Sequence, residues 1–250
     1  ILYVYKLSNE LIKSKKIATV SALFIAIWPT HIMFSAMNMR DSLAIFLLIL
    51  FIYYLVKWFR NFKPSTSLAV LVLYVLNFLI RSQNAILIMV AVAPFVVYFI
   101  LKRTNPKLVP LAFMAFVGIF GVVIALVYSQ GYFRYLSLDY ISTQMEYRTD
   151  GGTGYLEWVD YSNWLDIILY APLKLVYFLF SPFPWEVSNI DQLLVSIEGM
   201  VLLFMAFFIL VYRKKIYYKI DNKFIFVTFV AFCLIGLTAN GIIDSNSGTA

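Results

Sequence analysis

The chain has 250 residues, 62% of them hydrophobic and only 13% charged, with a formal net charge of +7. A soluble domain carries about 25% charge, so this composition excludes that class and predicts an integral membrane protein. The positive balance does not indicate nucleic acid, because the basic residues fall in short clusters between apolar runs. Those runs are continuous rather than alternating, which argues against a β-barrel. Several approach the roughly 20 residues needed to cross about 30 Å of hydrocarbon.

Taken in order, residues 1–5 (ILYVY) read as the last turns of a span that starts upstream. With no initiator Met and no signal-peptide pattern, the chain reads as an internal piece of a longer protein. A lysine cluster follows (Lys6, Lys13, Lys15, Lys16), then a first full span over about 17–37. A corner at 38–41 turns the chain into a second span, about 42–55, which ends at Lys57, Arg60, Lys63 and the breaker Pro64. Spans three and four, about 67–80 and 85–101, meet at the tip Arg81-Ser82-Gln83-Asn84. Lys102, Arg103 and Lys107 precede a fifth span, about 108–128. Residues 129–192 form a mostly polar loop holding an apolar, aromatic stretch at 165–185. Spans six and seven, about 193–212 and 224–243, flank the cluster RKKIYYKIDNK. The expected fold is all-α: a polytopic transmembrane helical bundle of about seven spans plus an outer interfacial or re-entrant helix. Its parts are 1–128, the loop 129–192, and the two C-terminal helices of 193–250.

Assigning alternate loops to two sides puts 15 of the 20 basic residues on one side, which the positive-inside rule makes cytoplasmic. Eleven of the 13 acids fall on the other side or near it. This segregation requires that 165–185 not cross, and its aromatics (Tyr170, Tyr177, Phe178, Phe180, Phe183, Trp185) suit an interfacial belt. Any chemistry is therefore expected on the extracytoplasmic face.

Asp41, at the outer start of a span beside Arg40, is the strongest candidate, because a charge at such a place is costly to bury. It can hold a divalent cation or a cationic partner beside a lipid phosphate, or simply cap its helix while Arg40 reaches for headgroups. Arg81 and Gln83 sit in a four-residue turn, where a guanidinium can take a phosphate bidentately or anchor the interface. His31 has no partner by spacing and reads as a packed polar group. The segment TQMEYRTDGGTGYLEWVDYSNW offers Glu146, Arg148, Asp150 and three glycines that permit close backbone approach. Its aromatics Tyr147, Tyr155, Trp158, Tyr161 and Trp164 suit either sugar stacking or an interfacial loop. The glycines are not a Walker loop, since no GK[ST] follows. Pro182 and Pro184 set a bend. Glu198 lies inside an apolar run and must be neutral, paired (with Arg40, Arg81 or Arg148) or facing a cavity. Asn240 and Asp244 line the outer end of the last span. Cys233, the lone cysteine, reads as an inert core thiol.

The stretch IWPTHIMFSAMNMRDSLAIF resembles the segment of GT-C membrane glycosyltransferases in which a proline-containing stretch ends one helix and an acidic residue opens the next. It is most similar to the bacterial branch near protein O-mannosyltransferases and the lipid A aminoarabinose transferase. Pro29, Phe34-Ser35 and Asp41 occupy the matching places. The likeness covers about the first hundred residues. The later PFPW and NSGTA stretches look like those of membrane proteins of polysaccharide biosynthesis. The resemblance implies a bacterial inner-membrane, multi-pass transferase of the cell envelope. It would move a sugar from a polyprenyl-phosphate donor to a saccharide, lipid or protein acceptor on the extracytoplasmic face. Asp41 matches the family's second-loop acid and would be the catalytic or metal-holding residue; Arg40, Arg81, Gln83, Arg148 and Glu198 are the substrate-binding candidates by their own placement in the chain. A divalent cation is the cofactor the resemblance implies. The family's first-loop acid, its general base, would fall before Ile1. The rival readings are a polysaccharide polymerase or lipid-linked oligosaccharide carrier of another fold, and an ion-coupled transporter.

Overall fold

The computed structural model describes residues 1–36, 40–103, 137–149 and 154–243. The expected fifth span at 108–128, Asn38 of the corner, Asp150 to Gly152 and the tail from Asp244 lie outside the described residues. Within them the chain is helical, with no strand. The elements are α1 (Leu2–Ile12), α2 (Lys15–Ala26), α3 (Pro29–Ala36), α4 (Arg40–Asn61), α5 (Pro64–Ile80), α6 (Ser82–Arg103), α7 (Leu138–Thr149), α8 (Trp164–Phe180), α9 (Ile190–Lys219) and α10 (Lys223–Ile243). Ser42–Asn61 of α4, Gln192–Lys219 of α9 and Lys223–Ile242 of α10 are long and apolar enough to cross a membrane. Pro64–Ile80 and Ile86–Ile100 are shorter apolar helices. The chain thus has the make-up of a helical membrane protein.

Local chemistry sets the helix ends. Lys13 and Phe62 adopt left-handed backbone conformations (φ 56° and 45°) that stop α1 and α4. Ser14 caps α2, its hydroxyl accepting from the Ile17 N–H, and Pro64 opens α5 at a position where no N–H is needed. The span expected as one run over 17–37 is instead two helices, α2 and α3. Pro29 has no N–H to donate to the Ile25 carbonyl, and that carbonyl is reached instead by the Trp28 N–H at 3.4 Å. Asn163 and Asp166 form a reciprocal capping box at the start of α8.

The chain divides into two compact units, residues 1–99 with 212–233, and residues 100–211 with 234–250. In unit 1, α4 and α5 form an antiparallel hairpin closed by Phe62 and Lys63 and pinned at its base by Trp58 Nε1–H donating to Ser67 Oγ (2.8 Å). The base carries an aromatic cluster. Phe99 of α6 and Phe224 of α10 each lie about 5 Å from the ring of Phe59, at 4.9 and 5.4 Å, and Trp58 and Phe62 pack on Phe99. Higher up, Val92 of α6 shares a small apolar gap with Ile52, Leu55 and Val56 of α4. Helix α6 therefore runs parallel to α4. So does α1, whose Tyr3 meets Phe46 and Tyr53 while Glu10 meets Arg60.

In unit 2 the described part of the 129–192 segment has a small core of its own. Ile141 and Met145 of α7, Tyr155, Leu156, Val159 and Tyr161 of the following segment, and Ile167 of α8 form one buried cluster, with Ile242 of α10 packed against it. Burial of such a set stabilises by about 1.5–3 kcal/mol per large side chain, so the segment holds itself together. Helix α9 approaches the end of α8 very closely at Gly199, where an added Cβ would lie 2.6 Å from the Phe180 carbonyl oxygen. At Gly241 the nearest atom is a side-chain carbon of Phe178 at 3.2 Å. Gly199→Ala should therefore lower the unfolding midpoint by the equivalent of about 1–3 kcal/mol. Gly241→Ala should cost less, because a side chain yields where a backbone carbonyl does not. Equilibrium unfolding of the two variants in detergent would check the order.

Candidate functional site

The antiparallel hairpin decides where the candidate residues lie. Helix α4 starts, α5 ends and α6 starts at the end of unit 1 away from the Phe62–Lys63 turn. Arg40 and Asp41 on the first turn of α4, Arg81 between α5 and α6, and Gln83 on the first turn of α6 thus share one end. The side-chain contacts of Arg40, Asp41 and Gln83 lie outside what is described. Arg81 is half-buried in an extended conformation, its N–H donating to the Asn77 carbonyl at 2.8 Å. An N-terminal helix turn favours the Asp41 carboxylate through the exposed N–H groups and the helix dipole.

One turn below Arg81 is Asn77, a residue that reading the sequence passed over. It is 1% exposed; its Nδ2 donates back to the Leu73 carbonyl (2.8 Å), and its Oδ1 accepts nothing. A lone amide in the run VLVLYVLNFLI was the available signal. An unsatisfied buried acceptor costs about 1–3 kcal/mol, so this end of the hairpin carries polar capacity that the protein itself does not use.

Arg148 and Glu198 belong to unit 2. Glu198 is buried on α9, next to the close approach at Gly199. The side chain of Arg148, at the end of α7, lies outside what is described. Unit 2 also holds two features not singled out from the sequence. Lys174 of α8 is fully buried, with its Nζ 5.7 Å from the centre of the Tyr155 ring. Ser142, Thr143, Glu146, Glu157 and Asp160 line a cleft of about 290 Å³ between α7 and the 154–163 segment. Of the aromatics expected to stack on sugars, Tyr155 and Tyr161 are core residues at 5% and 4% exposure, and Trp158 and Trp164 are exposed. Tyr147 lies outside the described side chains. Glu186 is structural: its carboxylate accepts from the Phe183 N–H (2.9 Å) and lies 3.3 Å from Ser181 Oγ.

The opposite end of unit 1 is built around Arg60. Its Nη1 meets the Asp221 carboxylate at 3.1 Å, its Nη2 donates to the Glu10 carbonyl at 2.6 Å, and its Nε lies 3.5 Å from the Glu10 carboxylate. The basic ends of α1, α4 and the α9–α10 turn are thereby held together. Among the described residues no group of three His, Cys, Asp or Glu side chains is placed to hold a metal ion, and Asp41 brings one carboxylate to its end of the unit.

Fold and composition define the class, a helical membrane protein, whose unit 1 has a basic end and an end of mixed charge. No family model, no curated protein and no solved structure matches this chain.

Tyr161 gives unit 2 a titratable marker. Its hydroxyl donates to the Ile242 carbonyl (3.1 Å), and burial pushes its pKa up to about 12. The folded state thus keeps a proton that the unfolded state releases near pH 10, so stability falls as pH rises from about 10 to 12. Tyr161→Phe should remove that alkaline slope and cost about 1 kcal/mol at neutral pH. Comparing the unfolding midpoints of the two proteins across pH would check both.

Proposed function

We propose that this chain is part of a membrane glycosyltransferase that takes a sugar from a polyprenyl-phosphate donor at the extracytoplasmic face. The observation that carries the reading is the meeting of the α4 start, the α5 end and the α6 start. It puts Arg40, Asp41, Arg81 and Gln83 at the end of unit 1 opposite the lysine clusters. With the lysine end cytoplasmic by the positive-inside rule, the mixed-charge end faces outward. The bundle then has about seven spans, and α8 lies at the outer interface.

The chemistry asked of that end is transfer of the anomeric carbon. An acceptor hydroxyl attacks it, the bond to the phosphate oxygen breaks, and polyprenyl phosphate leaves with the electron pair while a base takes the hydroxyl proton. The two arginines supply what the leaving phosphate needs. A planar guanidinium binds it bidentately and gains strength as charge develops in a place poor in water. A carboxylate beside a phosphate is repelled unless cations intervene, so Asp41 acts by fixing the guanidinium of Arg40 or Arg81 and by orienting the acceptor. Asn77 Oδ1 offers one further acceptor for a donor hydroxyl beneath Arg81.

The test uses the protein reconstituted in vesicles with a panel of polyprenyl-phosphate-linked hexoses. Asp41→Asn and Arg81→Lys should each lower transfer by about a hundredfold or more, with helix content unchanged by circular dichroism. Undiminished transfer in both variants would remove this end of unit 1 from the chemistry.

A further inference from the structure

At the other end of unit 1 the charge is one-sided. Besides Asp41 at the far end, unit 1 contains two acids, Glu10 and Asp221, and both carboxylates are engaged by Arg60. Glu10 also holds Lys13 at 3.3 Å. Lys6 and Lys57 lie over the rings of Tyr3 and Tyr53, at 4.8 and 5.1 Å. Lys15 and Lys16 at the start of α2, Lys63 at the start of α5 and Lys219 at the end of α9 are exposed, and among the described residues none has an acidic partner. The Arg60 network fixes the helix ends that carry them: α1 and its turn into α2 through Glu10, α4 and its turn into α5 through Arg60 itself, and the α9–α10 turn through Asp221.

We propose that this end is a docking surface for anionic phospholipid headgroups. Several features of this end select that partner. The four lysines sit at helix ends, Lys63 just past the span-length Ser42–Asn61 and Lys219 at the end of the span-length Gln192–Lys219. The local acids are neutralised internally, so the surface is complementary to negative charge. The lysine stems are long enough to reach along an apolar helix to a headgroup while the ammonium stays wet. Lysine is a point charge that tolerates many phosphate orientations, which suits a fluid ring of lipid rather than one fixed ligand. Basic positions gathered between helices in this way bind acidic headgroups. Arg60 is a positioning residue here: it touches no lipid and holds the lysine-bearing ends in place.

The experiment is lipid selectivity in reconstituted vesicles, read with spin-labelled phosphatidylglycerol and phosphatidylcholine as the ratio of their association constants at the protein surface. The wild-type ratio should be about fivefold or more at low salt, since each basic group near the surface contributes about that factor. It should fall towards one in molar salt, where the screening length shrinks to about 3 Å. Combining Lys15→Gln, Lys16→Gln, Lys63→Gln and Lys219→Gln should lower the ratio to near one. Arg60→Lys keeps the charge but lacks the planar fork that meets two carboxylates and a carbonyl at once, so it should lower the ratio with every charge still present. A wild-type ratio near one overturns the proposal, as does a ratio that the four-lysine variant keeps. A ratio near one together with salt-sensitive binding of soluble polyglutamate would assign the surface to an acidic protein instead.

Discussion

Arg60 is the interaction on which the order of unit 1 depends. It is 17% exposed and meets two carboxylates and a backbone carbonyl from elements far apart in the chain. An exposed pair of this kind would contribute little. A partly buried guanidinium whose donors are engaged on several sides is harder to disturb, because removing one partner leaves charge without compensation in a medium of low polarity. Beneath it the rings of Trp58, Phe59, Phe99 and Phe224 fill the hairpin base. Aromatic packing supplies the contact area there, and Arg60 fixes which helix ends meet over it.

From that fixed base the rest of unit 1 follows by geometry. An α4 of 22 residues is about 33 Å long, comparable to the hydrocarbon thickness. Helices anchored at one end and antiparallel to it must bring their other ends together at the far side. The polar residues there differ in kind from the lysines and include two arginines, an aspartate, a glutamine, and a buried amide whose oxygen has no partner among the described residues. The two ends are thus suited to different anions. Many mobile ammonium groups suit a crowd of headgroups, and a small number of guanidinium and carboxylate groups suit one oriented ligand.

Unit 2 solves a different problem. Its polar 137–149 and 154–163 segments gain their order from a small apolar core and from capping. The Asn163–Asp166 box starts α8, and Tyr161 ties the preceding segment to the end of α10. Gly199 lets α9 lie against the backbone at Phe180. The exposed rings of Trp158, Trp164 and Trp185 are left at the surface, where amphipathic aromatics suit a membrane interface.

The sequence by itself determined the helical class, the apolar runs and the segregation of charge, because these depend on composition and on distances of one or two turns. The turn after α4, marked by Pro64, was legible for the same reason; the break at Pro29 was not, since 17–37 reads as one run until the missing N–H is counted, and the cap of α8 was not read from the chain. What only the tertiary structure decided are meetings between residues far apart in sequence. Glu10, Arg60 and Asp221 converge; Tyr155 and Tyr161 turn inward while Trp158 between them turns out; Lys174 is buried inside a run that looks interfacial. Hydrophobic pattern gives a residue's tendency to leave water, but which partner it leaves water for is set by helix direction and packing. That is why Arg40, Asp41, Arg81 and Gln83 could be nominated one by one from the chain, and why their shared end rests on the antiparallel hairpin of α4 and α5.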